Sequence, residues 1–330
     1  MKASDKPINW SILAAVRFFL AFIVLNHHMP FFAANTFSSV FGLFGGKAAV
    51  VGFLLISGYS VSASFQARRD GFLYRRFLRI YPAYFVIVAL AIVLQHHVGA
   101  QQLNGLRVDP SDPVTVVGNL AMLQSYLVRR IDFDPPLWSL SIEFSFYLLL
   151  LFIDRVPRWC VVAATLLSLV FFLLPEELSG NHLYQLAMKA NMVRYLWPFL
   201  IGVLLFRYSS VAGYALAGLV GSAALLVSPW TYESLSWLTF AIVTIATYVS
   251  SRGWGKRSAF LEYLGDVSYP LYLLHFPLFI ALFAILHVTS GWVYIMAALA
   301  ASAVVTSAIE APLRRVLVRA IGIASFRRVA

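Results

Sequence analysis

The sequence predicts an all-α polytopic integral membrane protein with about ten transmembrane helices and one further segment that is re-entrant or interfacial. Of its 330 residues, 61% are hydrophobic and only 12% are charged. The mean hydropathy of the chain is +0.80, whereas soluble domains carry charge on about a quarter of their residues. Most windows between charged or glycine- and proline-containing segments are apolar for about 17 to 25 residues, which is the length that crosses a bilayer core.

Eleven hydrophobic stretches follow one another along the chain. They begin near Ser11, Phe44, Ile80, Val114, Pro136, Trp159, Met192, Val211, Trp237, Val267 and Gly291. The stretch over residues 114–127 is the shortest, and its length is typical of a re-entrant or interfacial segment rather than of a span. Without it, ten spans remain and both termini lie on the same side of the membrane. The first stretch lacks a small-residue cleavage site, so we expect it to be retained as a transmembrane helix.

The positions of Lys and Arg support this topology. The basic residues of the predicted cytoplasmic segments are Lys2, Lys6, Arg68, Arg69, Arg75, Arg76, Arg79, Arg155, Arg158, Arg207, Arg252, Lys256, Arg257, Arg314, Arg315, Arg319, Arg327 and Arg328. The predicted outer loops, 99–113, 175–180 and 229–233, are nearly free of them. The positive-inside rule therefore places both termini in the cytoplasm. Arg129, Arg130, Asp132 and Asp134 then belong to an outward-facing or partly buried loop.

Several functional classes are excluded by composition and motifs. The net charge of +11 is accounted for by the topology signal, so nucleic acid is not a predicted partner. The single cysteine, Cys160, excludes an internal disulfide and a thiolate metal cluster. The chain has neither a glycine-rich phosphate loop nor an HExxH motif. We therefore predict no metal site and one transmembrane domain over residues 1–330.

Two ionisable residues inside the first span give the strongest functional signal. Arg17 and His28 lie eleven residues apart, so they share one helix face and stand about 16 Å apart along its axis. His27 is turned away from that face by about 100°. Ionisable side chains within a membrane are costly and usually face a cavity or the bundle interior. The pair therefore predicts a functional face, with Arg17 toward the cytoplasm and His28 toward the outside.

The second and third spans carry two further candidates. Ser57 and Gly58 form a small-residue pair that favours helix packing, with passage of a thin ligand as the alternative. Arg76 and Arg79 lie three residues apart and share a helix face. Their guanidinium groups match phosphate oxygens, and the sequence leaves a lipid headgroup and a specific phosphate ligand equally open.

Three more ionisable residues fall within or beside later spans. Glu143 has a predicted depth similar to that of His28, and a carboxylate that orients an imidazole is typical of a histidine general base. The alternative is a structural hydrogen bond. His275 is either a supporting residue or a core histidine with its hydrogen bonds satisfied. Glu310, followed by Arg314, is predicted to form a local ion pair.

In this order the motifs resemble those of the membrane-bound acyltransferase 3 family. The resemblance covers almost the whole chain and is specific as an ordered set. It rests on Arg17 and His28 with ten residues between them, and on FLLISGY, RRFLRIYPAY, LWSLSIEFSFY, SYPLYLLHFPL and IEAPLRR. Two features differ from the family pattern: Phe144 and Ser145 stand where an acidic residue and a glutamine are usual, and no appended SGNH-type hydrolase domain follows.

The resemblance implies an acyltransferase of the bacterial cytoplasmic (inner) membrane, with ten spans. It would move an acyl group, usually acetyl from acetyl-CoA, onto a hydroxyl of a cell-surface or lipid-linked glycan, such as lipopolysaccharide or exopolysaccharide. No tightly bound cofactor is implied, because acyl-CoA is a substrate. A separate periplasmic or extracellular partner could complete the transfer.

The candidate roles fall on seven positions. The resemblance covers five of them: His28, Glu143 and Arg17 as catalytic candidates, and Arg76 and Arg79 as donor-binding candidates. Their position in the spans adds Ser57 as a third donor-binding candidate and His275 as a supporting candidate. A transporter or permease with an Arg, His and Glu relay is the alternative function. Against it, the two halves of the chain show no corresponding broken helices.

Overall fold

The computed structural model describes residues 8–174 and 191–312, and these residues are mostly helical. In the first half the helices are α1 (Trp10–His28), α2 (Thr36–Gly42), α3 (Gly46–Ala67), α4 (Phe72–Val98), α5 (Pro113–Leu120), α6 (Trp138–Ile153) and α7 (Arg158–Leu173). In the second half they are α8 (Asn191–Arg207), α9 (Val211–Val227), α10 (Ser236–Ser251), α11 (Ala259–Ala284) and α12 (Gly291–Val304), which continues as a π-helical turn over Val305–Glu310. A short antiparallel hairpin, β1 (Gln101–Leu103) and β2 (Leu106–Val108), follows α4.

Side-chain caps fix the starts of α1, which carries His27 and His28, and of α11, which carries His275. The Asn9 side chain accepts a hydrogen bond from the backbone N–H of Ser11 at the start of α1. The Ser258 hydroxyl does the same for the N–H of Leu261 at the start of α11. Each cap satisfies a backbone donor that the first helical turn leaves without a partner.

The prediction of a polytopic helical membrane protein is confirmed in its coarse form. Six helical segments of the described residues are long and apolar enough to cross a membrane: Trp10–Phe31, Gly46–Ala67, Phe72–Val98, Pro135–Ile153, Ala259–Ala284 and Gly291–Glu310. The other four predicted spans are the helices α7 to α10, which have 16 or 17 residues each. At 1.5 Å per residue, α7, α9 and α10 reach about 25 Å, a few Å short of a typical hydrocarbon core. The α8 helix begins at the first residue described after 174, and the count of about ten spans stays a prediction.

The segment predicted to be re-entrant or interfacial contains α5, a helix of only 8 residues. Its length of about 12 Å cannot cross a bilayer. The chain then runs over residues 121–134 without a further helix. Asn119 holds this loop, because its side-chain amide donates to the carbonyl of Arg129 at 2.7 Å and its carbonyl accepts from the N–H of Ile131 at 3.2 Å.

Ion pairs lie at both ends of the helix bundle. At one end Asp154 accepts from both Arg69 and Arg207. At the other end, the His27 ring lies 3.6 Å from a carboxylate oxygen of Glu233. The end with Asp154, Arg69 and Arg207 is called the basic end below. The membrane sidedness predicted from Lys and Arg stays a prediction. The terminal basic residues used in that prediction, and the loop 175–180, lie outside the described residues.

Two helix pairs form the centre of the bundle, and both rely on glycine. A Cβ at Gly265 of α11 would lie 2.5 Å from the Cβ of Ala14 in α1, so these helices pack closely. A Cβ at Gly58 of α3 would lie 2.0 Å from the carbonyl oxygen of Phe199 in α8, and one at Gly202 would lie 2.2 Å from that of Leu55. The packing interpretation of Gly58 is therefore confirmed at the backbone level.

We expect Gly58→Ala to separate α3 from α8, because a methyl group cannot occupy a site 2.0 Å from a backbone oxygen. Overpacking of this kind costs typically about 1 to 3 kcal/mol, and more where backbone must move. The loss is measured as a lower midpoint of thermal unfolding in detergent. Gly42→Ala is the matched control, since no atom lies within 4 Å of a Cβ at Gly42. Equal midpoints for the two variants would contradict the contact.

The predicted outer loop is partly buried. Arg129 and Arg130 are exposed, whereas Asp134 is 0% exposed and neither of its carboxylate oxygens has a hydrogen-bond partner among the described residues. Burial raises the pKa of the Asp134 carboxyl well above its usual range. Ionisation of this group therefore opposes folding.

This burial predicts a pH-dependent stability difference for Asp134→Asn. Because the folded pKa is raised, Asp134 destabilises the folded state progressively as pH rises above about 4, the ordinary aspartate value. The thermal midpoint of the parent should fall relative to that of Asp134→Asn between about pH 4 and 8. The comparison cancels the titration of all other groups. A parent that gains stability relative to the variant over this interval would refute the prediction.

Candidate active site

A cavity of about 570 Å³ lies inside the bundle, and its walls come from α1, α3, α4, α6, α11 and the π-helical turn. This volume is typical of a site for a small molecule or cofactor. Its charged lining residues are Arg17, Arg68, Arg75, Arg76, Arg79, Arg257, Glu143, Glu262, Asp266 and Glu310. The cavity extends from the exposed Arg68, at the basic end of the bundle, to the buried Ser139 and Tyr272.

Five of the predicted site residues line this one cavity, although they lie on four different helices. They are Arg17, Ser57, Arg76, Arg79 and Glu143. The structure therefore brings together the residues that the sequence proposed for donor binding with two of the three catalytic candidates.

The arginines concentrate positive charge in the cavity wall. Arg76 is only 5% exposed, and its guanidinium lies over the ring of Phe72, 5.7 Å from the centroid. Arg17 experiences the charges of both Arg76 and Arg79, and Asp266 partly offsets this repulsion. The Nε of Arg17 is buried without a hydrogen-bond partner among the described residues. Three guanidinium groups held this close favour an anionic ligand.

Glu143 is held by two hydroxyl groups. The Ser57 hydroxyl donates to Oε1 of Glu143 at 2.6 Å, and the Tyr147 hydroxyl donates to the same oxygen at 2.6 Å. Sequence reasoning missed Tyr147, although it lies four residues after Glu143 and therefore on the same helix face. The Ser57 side chain thus has a polar role in the cavity, while the adjacent Gly58 packs against α8.

The predicted contact between Glu143 and His28 is wrong: no hydrogen bond among the described residues joins them. His28 instead contacts His275 of α11, with 3.0 Å between Nδ1 of His28 and Nε2 of His275. The two rings are nearly parallel, with centroids 5.2 Å apart and an interplanar angle of 25°. Glu143 lines the cavity and His28 does not, so a similar predicted depth does not bring the two side chains together.

His275 is a central residue rather than a peripheral one. It is 0% exposed, and its Nδ1 lies 3.0 Å from the carbonyl oxygen of Leu271, one helical turn earlier. The α1 and α11 helices run parallel, since Ser11 contacts Glu262 near the starts of both helices, and His28 at the end of α1 meets His275 further along α11. Close packing of these helices therefore brings the two histidines together.

The histidine pair does not line the cavity. Tyr272 lies between the cavity and the pair. Tyr272 is a lining residue, and its ring also contacts the ring of His275, with centroids 6.5 Å apart. Its hydroxyl is 2.7 Å from the Ser139 hydroxyl, and Phe53 packs edge-on against its ring at 5.6 Å. The inner end of the cavity is therefore about one helical turn from His275.

The remaining two predictions concern His27 and Glu310. His27 turns to Glu233, which agrees with the choice of His28 as the residue on the functional face. Glu310 lines the cavity from the π-helical turn, and its predicted partner Arg314 lies outside the described residues. Within residues 8–174 and 191–312, no group of three His, Cys, Asp or Glu side chains is placed to hold a metal ion.

The fold and the site define a polytopic helical membrane protein with a charged cavity inside its bundle. Within that class, the chain belongs to the acyltransferase 3 family, because the family's acyltransferase domain matches residues 10–311. It is therefore a membrane acyltransferase. No solved structure matches the chain significantly.

Two relatives agree with this assignment. Acyltransferase MdmB of Streptomyces mycarofaciens is 29% identical over 266 residues, covering 70% of this chain and 67% of the relative. BcsY of Komagataeibacter xylinus, described as a membrane-bound transacylase, is 29% identical over 264 residues, covering 71% of this chain and 66% of the relative. The chain thus spans about two thirds of the length of each.

Proposed function

We propose that this protein transfers an acyl group, by default acetyl, from cytoplasmic acyl-CoA to a hydroxyl of a cell-surface or lipid-linked glycan. One observation carries the proposal: a single arginine-rich cavity reaches from the basic end of the bundle to Tyr272, beside the His28 and His275 pair. Such a site has room for an anionic donor at one end and a titratable base beyond the other.

The cavity favours a phosphate ligand over a lipid headgroup as the partner of Arg76 and Arg79. Both arginines line the interior cavity, and Arg76 is only 5% exposed, so it is poorly placed to reach lipid at the bundle surface. Arginine binds phosphate through paired N–H donors. Acyl-CoA carries phosphates at one end and a thioester on a thin arm at the other, which suits a cavity with its arginines at the basic end.

The transfer step needs a base, and His28 supplies it in this proposal. His28 takes the proton of the acceptor hydroxyl while that oxygen attacks the thioester carbonyl. The carbon–sulfur bond then breaks, the acceptor oxygen keeps the acyl group, and the proton passes to the CoA thiolate to give free CoA. General-base assistance of this kind contributes about 10²- to 10⁴-fold. A route through an acyl-histidine would leave the same products.

The acceptor enters from the outer end of the bundle in this proposal. Arg130 is exposed in the loop 121–134. This loop leads into Pro136, whose carbonyl oxygen accepts a hydrogen bond from the Tyr272 hydroxyl at 3.1 Å. A guanidinium there suits an anionic or hydroxyl-rich headgroup. We propose that the domain acts on the glycan directly or hands the acyl group to a separate periplasmic or extracellular transferase.

Two linked measurements test the function. Membranes that contain the protein are given labelled acetyl-CoA, and both free CoA thiol and labelled glycan are quantified by mass spectrometry. We expect CoA and acetylated glycan to form in equal amounts, and neither to form in membranes without the protein. Solute flux without CoA release would instead favour the transporter alternative and contradict the proposal.

A further inference from the structure

We infer that His275 is a positioning residue that fixes the tautomer of His28, so that Nε2 of His28 is the nitrogen that takes the proton. The inference rests on the proposed function, because it assigns the atom that acts as base. It also replaces Glu143, which the sequence had suggested as the group that orients His28.

The tautomer follows from the end of the hydrogen-bond chain. The carbonyl oxygen of Leu271 can only accept a hydrogen bond, and it lies 3.0 Å from Nδ1 of His275. That nitrogen must therefore carry a proton. A neutral imidazole has one N–H, so Nε2 of His275 is an acceptor. Neutrality is favoured because the ring is 0% exposed and an isolated buried charge is costly.

The second contact then fixes His28. Its Nδ1 lies 3.0 Å from Nε2 of His275, and since that Nε2 accepts, Nδ1 of His28 must donate. The only proton of neutral His28 is then on Nδ1, which leaves the Nε2 lone pair available. When Nε2 takes a proton, the contact becomes a charge-assisted hydrogen bond from an imidazolium, which is stronger than the neutral one.

Aromatic packing keeps the two rings in this orientation. The ring of Phe276 packs edge-on against His28, with centroids 5.3 Å apart and an interplanar angle of 85°. Phe279 packs in the same way against His275, at 5.9 Å and 83°. A flip of either imidazole would have to displace these rings. The arrangement performs the task that a carboxylate performs in a catalytic triad, with a backbone carbonyl as the last acceptor.

The glutamine and asparagine variants of His275 separate positioning from packing. In His275→Gln, the amide oxygen can take the place of the ring Nε2 and accept from His28. In His275→Asn, the shorter amide can still donate to Leu271 but does not reach His28. We expect kcat within about tenfold of the parent for His275→Gln and a loss of about 10²-fold for His275→Asn. The KM for acetyl-CoA should stay unchanged in both, because His275 does not line the cavity.

Equal losses of kcat in the two variants would overturn the inference, as would a change confined to KM. Acetyl-CoA binding and the thermal midpoint of each variant show whether it is folded. If His28→Ala keeps full activity, His28 is not the base, and this part of the proposed function is refuted. If only His28→Ala is inactive and the two His275 variants behave alike, the proposed function stands and the positioning role falls.

A spectroscopic measurement on the parent protein reports the tautomer itself and does not depend on the activity of any variant. Nitrogen-15 NMR of histidine-labelled protein in lipid, with the His28 signals assigned by their absence in His28→Ala, reports the protonation of each ring nitrogen. We expect Nδ1 of His28 to be protonated and Nε2 to be unprotonated at neutral pH. The opposite tautomer would overturn the inference regardless of any activity measurement.

Discussion

His28→Ala should lower the rate of acyl transfer by about 10²- to 10⁴-fold, which is the contribution of a positioned general base. The variant loses the only nitrogen that the hydrogen-bond chain leaves free to take a proton, while the arginines of the cavity stay in place. Acetyl-CoA binding should therefore be unchanged. The measurement is single-turnover transfer from labelled acetyl-CoA in membranes with equal amounts of inserted protein.

His27→Ala is the matched control for this variant. His27 is the adjacent histidine on the same helix, but its ring turns to Glu233 at 3.6 Å and does not contact His275 in any described hydrogen bond. We expect His27→Ala to keep kcat within a few-fold of the parent. If both variants lose activity equally, the effect comes from the end of α1 as a whole, and His28 has no specific role.

Arg76→Ala should raise the KM for acetyl-CoA by about 10- to 100-fold. Hydrogen bonds to a charged group are worth about 1.5 to 3 kcal/mol, and each 1.4 kcal/mol corresponds to a factor of ten. The value of kcat at saturating donor should change little, because the proposal gives Arg76 the phosphates of the donor and not the transferred group. Arg76→Lys should be intermediate, since lysine keeps the charge but lacks the planar pair of donors.

Arg69→Ala is the control for the loss of a positive charge at the same end of the bundle. Arg69 pairs with Asp154 and does not line the cavity. The KM of Arg69→Ala for acetyl-CoA should match that of the parent. A fall in kcat at unchanged KM in Arg76→Ala would contradict the donor-binding role. Equal rises in KM for both variants would indicate a general surface potential rather than a binding site.

The sequence predicted the helical membrane fold and much of the cavity because both depend on local patterns. Hydropathy determines which segments can span a membrane, and helical spacing determines which side chains share a face. These rules were sufficient to single out Arg17, Arg76 and Arg79, which all line the cavity. The cost of burying ionisable groups in lipid also indicates His28 and Glu143 as candidates, and both are half-buried.

The partners of these residues could not be predicted in the same way. Hydropathy gives the approximate depth of a residue in the membrane but not the rotation of its helix about the axis, nor which helices are neighbours. Depth alone predicts a pair of Glu143 and His28. In the structure His28 contacts His275, which is 247 residues away in the sequence. That contact depends on the close packing of α1 against α11 at Gly265, which a single sequence does not reveal.

The most direct test of the account uses inside-out membrane vesicles, in which the cytoplasmic face is outward and the glycan acceptor is enclosed. Labelled acetyl-CoA is added outside, where it cannot cross the bilayer. We expect that label appears on the enclosed glycan, that an equal amount of free CoA stays outside, and that His28→Ala lowers the rate of both by about 10²- to 10⁴-fold. Transfer that requires acetyl-CoA on the same side as the acceptor, or label that enters the vesicles as intact acetyl-CoA, would contradict it.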